Sequence, residues 1–228
     1  MPRKSYLLLI CCTVLCGCSS GPAALRRGPD AYPDLPALLA AKVEGRDYSR
    51  EIYDRGAPVT VFAVHGGDIE SGTARLARRT ADKDLNLYIF NGWQGAESPN
   101  LHITSSRFND PAAVRLATSS VLGISLHAQV DRGNHVCVGG KNEAAARLVA
   151  MRLGAAGFSA ETPCVRLPGT ADKNIVNLPS AGGVQLEITL RLLRRLERNA
   201  VDSARFTQAL RLALSDSMRK IQQEGTAK

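Results

Sequence analysis

The stretch from Pro58 to Glu70 (P-V-T-V-F-A-V-H-G-G-D-I-E) constrains the fold more than any other part of the chain. Val59 to Val64 is a charge-free, mostly apolar run rich in β-branched residues, the pattern of a strand buried on both faces. It ends on His65, and Gly66-Gly67 then allows a sharp turn or a close backbone approach. Asp68, Glu70 and Ser71-Gly72-Thr73 lead into the amphipathic run Ala74 to Ala81. The reading is strand, tight turn, helix, with an imidazole and a carboxylate on the turn. Open α/β sheets bind ligands at the carboxyl ends of their strands. His and Glu are zinc-type ligands there; a solvated His and Glu on an ordinary connection is the alternative.

Further elements repeat the alternation of strand and helix. Leu85 to Phe90, Leu101 to Thr104, Leu122 to Leu126, His135 to Val138 and Val184 to Ile188 read as strands. Helices are expected over Leu35 to Val43, over Pro111 to Val121 with Asp110 as N-cap, and over Glu143 to Ala155 capped by Asn142. Leu190 to Arg198 and Ser203 to Gln223 read as two more amphipathic helices. Asp47 to Arg55 is polar and reads as irregular, and Ala171 to Leu178 as a functional loop. Strands alternating with helices imply an α/β three-layer sandwich on a mixed, mostly parallel sheet. With 228 residues, 44% of them hydrophobic, one large domain with an ordinary core is expected.

The first residues read as an export signal. Arg3 and Lys4 precede a short apolar core, Tyr6 to Leu15, too short for a permanent membrane span. Leu15-Cys16-Gly17-Cys18 resembles the bacterial lipobox, which implies lipidation of Cys18 and an envelope location, with Ser19-Ser20 favouring the outer membrane. An ordinary cleaved signal is the alternative. Residues 1–18 are thus set apart as signal, 19–33 (Gly-, Pro- and Ala-rich) as a tether, and 34–228 as the domain. Of the formal charge of +8, Arg3 and Lys4 supply two, so the mature chain carries +6. That balance suits an anionic partner. The basic residues are scattered, however, and no nucleic-acid motif is present, so nucleic acid is not the expected partner. Once the signal and Cys18 are set aside, only Cys137 and Cys164 remain. An oxidising compartment makes a Cys137–Cys164 disulfide one possibility and two buried thiols the other.

The ionisable residues near strand ends are His65, Glu70, His127 and Glu187. Two His and one Glu form the ligand set of a hydrolytic zinc with a fourth position for water, and a further Glu can take a proton from that water. Neither H-E-x-x-H nor G-x-S-x-G occurs. The segments H-G-G-D-I-E-S-G-T (His65 to Thr73), L-H-I-T-S-S-R-F-N-D-P (Leu101 to Pro111), S-L-H-A (Ser125 to Ala128), N-I-V-N (Asn174 to Asn177) and G-V-Q-L-E-I (Gly183 to Ile188) resemble the poly-γ-glutamate hydrolase family. The resemblance covers roughly Val59 to Arg195, in order. It implies a fold related to zinc carboxypeptidases, Zn2+ bound by His65, Glu70 and His127, and Glu187 as the catalytic glutamate. The tether and lipobox are not part of that family's catalytic module.

The remaining polar residues divide between two readings. His102 is either a pocket residue or a structural histidine, and His135 reads as structural. Arg132, in D-R-G-N beside His127, is a candidate clamp for a substrate carboxylate or a solvated turn residue. Arg107, Asn174 and Asn177 are similar substrate-binding candidates. Arg191, Arg194, Arg195 and Arg198 follow helical spacing and read as a solvated face, and Trp93 as packing. The expected function is zinc-dependent hydrolysis of γ-glutamyl amide bonds in an acidic polymer, or in the stem peptide of peptidoglycan. A non-catalytic envelope lipoprotein that binds an anionic polymer or a protein is the alternative.

Overall fold

The computed structural model describes residues 28–226. The signal, Cys18 and most of the tether lie outside the described residues. Seven strands form one sheet: β1 (Tyr48–Tyr53), β2 (Val59–Gly67), β3 (Asn86–Gly92), β4 (Leu122–Gln129), β5 (His135–Gly139), β6 (Ser159–Glu161) and β7 (Gly183–Thr189). Their order is β1-β3-β2-β4-β7-β5-β6. The β1/β3 and β7/β5 pairs are antiparallel and the other four are parallel, so the sheet is mixed and mostly parallel, as the alternation of elements implies.

Helices cover both faces. One apolar layer joins Val61, Ala63, Ile124, Leu126, Val184 and Leu186 to α2 (Thr73–Ala81), α4 (Glu143–Ala155), α5 (Leu190–Arg198) and α6 (Ala200–Thr226). The opposite layer packs Phe62, Val64, Tyr88 and Phe90 against α1 (Leu35–Ala41), α3 (Pro111–Thr118) and Ile103. Strand alternation sends odd and even residues of β2, β4 and β7 to different layers. The helix starts follow their caps. Asp110 Oδ1 accepts from Ala112 N at 2.8 Å, with Pro111 at the first helical position, and Asn142 Oδ1 accepts from Ala145 N at 2.9 Å. No helix among the described residues is long and apolar enough to cross a membrane.

Three departures from the sequence reading have physical causes. Tyr48–Tyr53 is an edge strand, not irregular chain. Its polarity hides it, because its charges are used in ion pairs: Arg50 with Glu44 and Asp110, and Glu51 with Arg78. Charged side chains are the usual protection of an exposed edge. Leu101 to Thr104 is not a strand. Leu101 closes a 3-10 helix begun at Gly95, and its alternating apolar residues, Leu101 and Ile103, bury into the second layer without pairing. The short β6 also escaped the pattern, since S-A-E carries no apolar alternation.

The irregularity that matters most lies in β2. Ala63 pairs with Ile89 and Gly66 with Asn91, so β2 spends one residue more than β3 between these points. This is a β-bulge, which re-aims a side chain. Strict alternation would send His65 to the layer of Val61 and Ala63; the extra residue leaves it on the face of Val64. The strand ends at Gly67, whose φ is +66° and whose Cβ position lies 2.3 Å from Gly92 O. Gly67→Ala is therefore expected to cost about 3 kcal/mol from strain and displacement. That would lower Tm by roughly 10 °C for a domain of this size, measurable by thermal denaturation; an unchanged Tm would show that the turn yields.

Candidate metal centre

The bulge brings His65 to Glu70 and His127. His65 Nδ1 lies 3.0 Å from Glu70 Oε1 and 3.1 Å from His127 Nδ1, and His127 Nδ1 lies 3.5 Å from Glu70 Oε2. Glu70 is carried just beyond the Gly66-Gly67 turn, where its own N–H donates to His65 O at 2.9 Å. Its Oε2 accepts from Ala128 N at 2.9 Å. His65 Nε2 donates to the Ile103 carbonyl at 2.9 Å, which leaves the Nδ1 lone pair aimed at the other two residues. His102 stacks on the far side, ring centroids 4.0 Å apart.

The donor set fits a divalent cation. Three groups that each offer a lone pair converge in a buried space, and the oxygens and Nδ1 atoms of Glu70, His65 and His127 form the one such cluster among the described residues. For ligands at ~2.0–2.1 Å in a tetrahedral shell, neighbouring donors lie about 3.3 Å apart; the three observed separations bracket that value. Burial opposes ionisation of Glu70, but the imidazoles of His65 and His127 more than offset it and hold the carboxyl well below the usual carboxylate range. Burial likewise disfavours charge on His127, yet the Glu70 carboxylate pushes its pKa up. A positive centre is thus what the geometry accommodates.

Glu187 stands directly across from His127 in the β4/β7 register and is 6% exposed. Burial pushes its carboxyl up to about 7, against the opposing charge of His127 and with the help of Glu70. Gln185, two residues earlier on the same strand face, donates to Glu187 Oε1 at 2.8 Å and accepts from Asn174 Nδ2 at 2.7 Å. These residues open into a cleft of about 840 Å³.

The other sequence candidates go to different places. Asn174 and His102 line the cleft. His102 Nδ1 binds Asp30 Oδ1 at 2.7 Å, and burial together with the charge of His65 lowers its pKa to about 4. Arg107 does not line the cleft; its guanidinium donates to Asp30 and to the Pro33 carbonyl. Asn177 staples its own loop, donating to Gly169 O at 2.7 Å and Ala171 O at 3.0 Å and accepting from Lys141 N at 3.1 Å. Arg132 is exposed on the β4–β5 turn and takes no part in the cleft wall. Cys137 and Cys164 are joined in a disulfide, Cα atoms 5.0 Å apart.

Sequence reasoning missed Gln185, Gln129, Arg166 and Asp30. The two glutamines carried a usable signal: each sits two residues from a site residue, hence on the same strand face. Arg166 and Asp30 reach the site from irregular segments and left no periodic trace.

A mixed α/β sheet with a His–Glu–His donor set at the carboxyl ends of its parallel strands defines the class: α/β proteins whose clustered donors could hold a cation beside a buried carboxyl group. Residues 32–219 match the model of the poly-gamma-glutamate hydrolase family, and the chain belongs to that family. It is 39% identical over 141 residues to the SPbeta prophage-derived UPF0714 protein YoqZ of Bacillus subtilis, a match covering 60% of this chain and 51% of YoqZ. To YndL of the same organism it is 34% identical over 163 residues, 70% of this chain and 64% of YndL. The chain thus spans between half and two thirds of these relatives. Its fold matches the bacteriophage poly-gamma-glutamate hydrolase with a TM-score of 0.79 at 28% identity, covering 83% of this chain and 99% of that one. A zinc-free apo structure of YndL matches with a TM-score of 0.76 at the same identity, covering 83% and 99%.

Proposed function

We propose that this protein is a zinc-dependent hydrolase of γ-glutamyl amide bonds in an acidic polymer. The observation that carries the reading is the convergence of His65, Glu70 and His127 within hydrogen-bonding distances of one another beside Glu187. Zinc held by these three residues would polarise the scissile carbonyl and acidify a water. Glu187 is placed to take a proton from a water on its carboxylate and to return it to the leaving amine. Gln185 fixes the carboxyl orientation through its bond to Oε1. The Ile103 carbonyl and the Ala128 N–H hold the His65 ring and the Glu70 carboxylate in place, so no reorganisation is needed at the moment of reaction. Family membership supports poly-γ-glutamate as the substrate class.

The test measures zinc content of the purified protein and its cleavage of γ-glutamyl and α-glutamyl oligomers side by side. Stoichiometric zinc with γ-selective cleavage is the expected result; metal without turnover of either oligomer would sink the reading and favour a binding role.

A lipid-anchored place at the bacterial envelope belongs to the same reading. The lipobox-like Leu15 to Cys18 supports it, and the Cys137–Cys164 disulfide suits an oxidising compartment. Cys18→Ala is expected to move the protein from the membrane fraction to the soluble one. Unchanged membrane recovery would exclude the anchor.

A further inference from the structure

We infer that Arg166 is the specificity residue that reads the free α-carboxylate of a γ-glutamyl unit, and that the Cys137–Cys164 disulfide and Gln129 hold it in place for this. The inference rests on the γ-glutamyl reading above.

Charge complementarity comes first. Glu70 and Glu187 line the cleft, and among its described lining residues Arg166 is the single lysine or arginine. An anionic substrate that enters beside two carboxyl groups needs a fixed opposite charge. Arg166 is placed to supply it. Its Nη2 donates to Gln129 Oε1 at 2.7 Å and lies 3.1 Å from Asp131 Oδ2, which engages that nitrogen. Nε and Nη1 make no hydrogen bond to any described residue, and the side chain is 55% exposed. The three N–H donors of Nε and Nη1 are therefore free for a ligand, while Nη2 anchors the group.

The anchor leads straight to the reacting strand. Gln129 bridges Arg166 to the backbone of Glu187, since its Nε2 donates to Glu187 O at 3.1 Å. The segment carrying Arg166 is tied on both sides. Cys164 is joined to Cys137 and donates its N–H to Val138 O at 3.0 Å; Pro168 O accepts from Gly140 N at 2.8 Å. Cys137 in turn lies opposite Glu187 in the β5/β7 register. The guanidinium is thus fixed relative to the carboxyl group that moves protons. On the amine side of the scissile bond of a γ-linked chain, the carbon bonded to nitrogen carries a free carboxylate. In an α-linked chain that carbon carries the next amide and the free carboxylate lies at the end of the side chain, and an α-amidated unit offers no charge. Arg166 distinguishes both from the γ-linked acid.

The experiment uses the full chain and two γ-glutamyl oligomers, one with free α-carboxylates and one with α-carboxamides. The unaltered protein is expected to favour the acid by about 50-fold in kcat/KM. Arg166→Met should raise KM for the acid by about 10- to 100-fold and reduce the preference to a few-fold, with kcat and zinc content nearly unchanged. A structural role would not produce that split. The double variant Cys137→Ser, Cys164→Ser should shift KM in the same direction, and adding Arg166→Met to it should bring little more. Binding of both oligomers to Glu187→Gln protein, with and without Arg166→Met, separates the two levels of the reading. Loss of acid binding in the combined variant supports the clamp even if the unaltered protein hydrolyses neither oligomer, a result that would fail the hydrolase reading alone. Equal binding of acid and amide, or an Arg166→Met protein with unaltered KM, overturns the assignment. A serine pair that keeps the full preference overturns the role of the disulfide.

Discussion

Glu187→Gln is expected to lower kcat for γ-glutamyl hydrolysis by about 10³-fold while zinc content stays stoichiometric, since proton transfer by a positioned carboxylate contributes roughly 10²–10⁴. The substitution is nearly isosteric. Its amide oxygen can still accept from Gln185 Nε2, as Glu187 Oε1 does at 2.8 Å, so the strand need not rearrange. What is lost is the ability to take and return a proton. A kinetic comparison at matched metal loading measures the effect, and retained activity would remove Glu187 from the role of base. The same variant has a pH signature in metal-free protein. Burial raises the Glu187 carboxyl from its ordinary 4.5 to about 7, so the folded chain holds a proton that the unfolded chain has released. The stability this group contributes is fully present below pH 4.5 and falls as pH rises toward 7. Glu187→Gln should be less sensitive to pH than the parent across that interval, read from denaturant midpoints; parallel curves would show that burial does not shift the group.

His65→Ala is expected to abolish stoichiometric zinc binding and reduce hydrolysis by more than about 10³-fold, because the charge stabilisation a bound cation supplies is worth several kcal/mol. The ring occupies the middle of the set, 3.0 Å from Glu70 Oε1 and 3.1 Å from His127 Nδ1, so its removal leaves two donors where a hydrolytic site with an open fourth position uses three. It also removes a partner of the buried Glu70 carboxylate, which should lower stability in the absence of metal. Elemental analysis of the purified variant decides the matter: zinc still present at one per chain would mean that the ion sits elsewhere.

The parallel core of this fold is legible in the chain because buried strands announce themselves. Val59 to Val64, Leu122 to Leu126 and Val184 to Ile188 are apolar runs of strand length, and each becomes a central strand. The residues near their ends, His65, His127 and Glu187, could be collected on that basis alone. The sequence hides the reach of the polar side chains. Arg132 stands near His127 in the chain yet is exposed and takes no part in the cleft wall, whereas Arg166 comes from a distant irregular segment brought home by Cys164. Asn174 and Asn177 share one motif, but only the first faces the cleft; the second spends its amide on Gly169, Ala171 and Lys141. Periodicity reports which face of a strand is apolar. It carries no information on how an irregular loop folds back, and none on where a strand gains a residue, which is what turns His65 to the side of Val64.

The Ile103 carbonyl, which fixes the His65 ring at 2.9 Å, belongs to the main chain. Replacing the Ile103 side chain leaves that oxygen where it is, so a mutational scan would score the position by its packing and pass over its part in orienting the imidazole. Its contribution would surface only through changes that bend the backbone, such as proline at Thr104, or through an amide-to-ester replacement that weakens the acceptor.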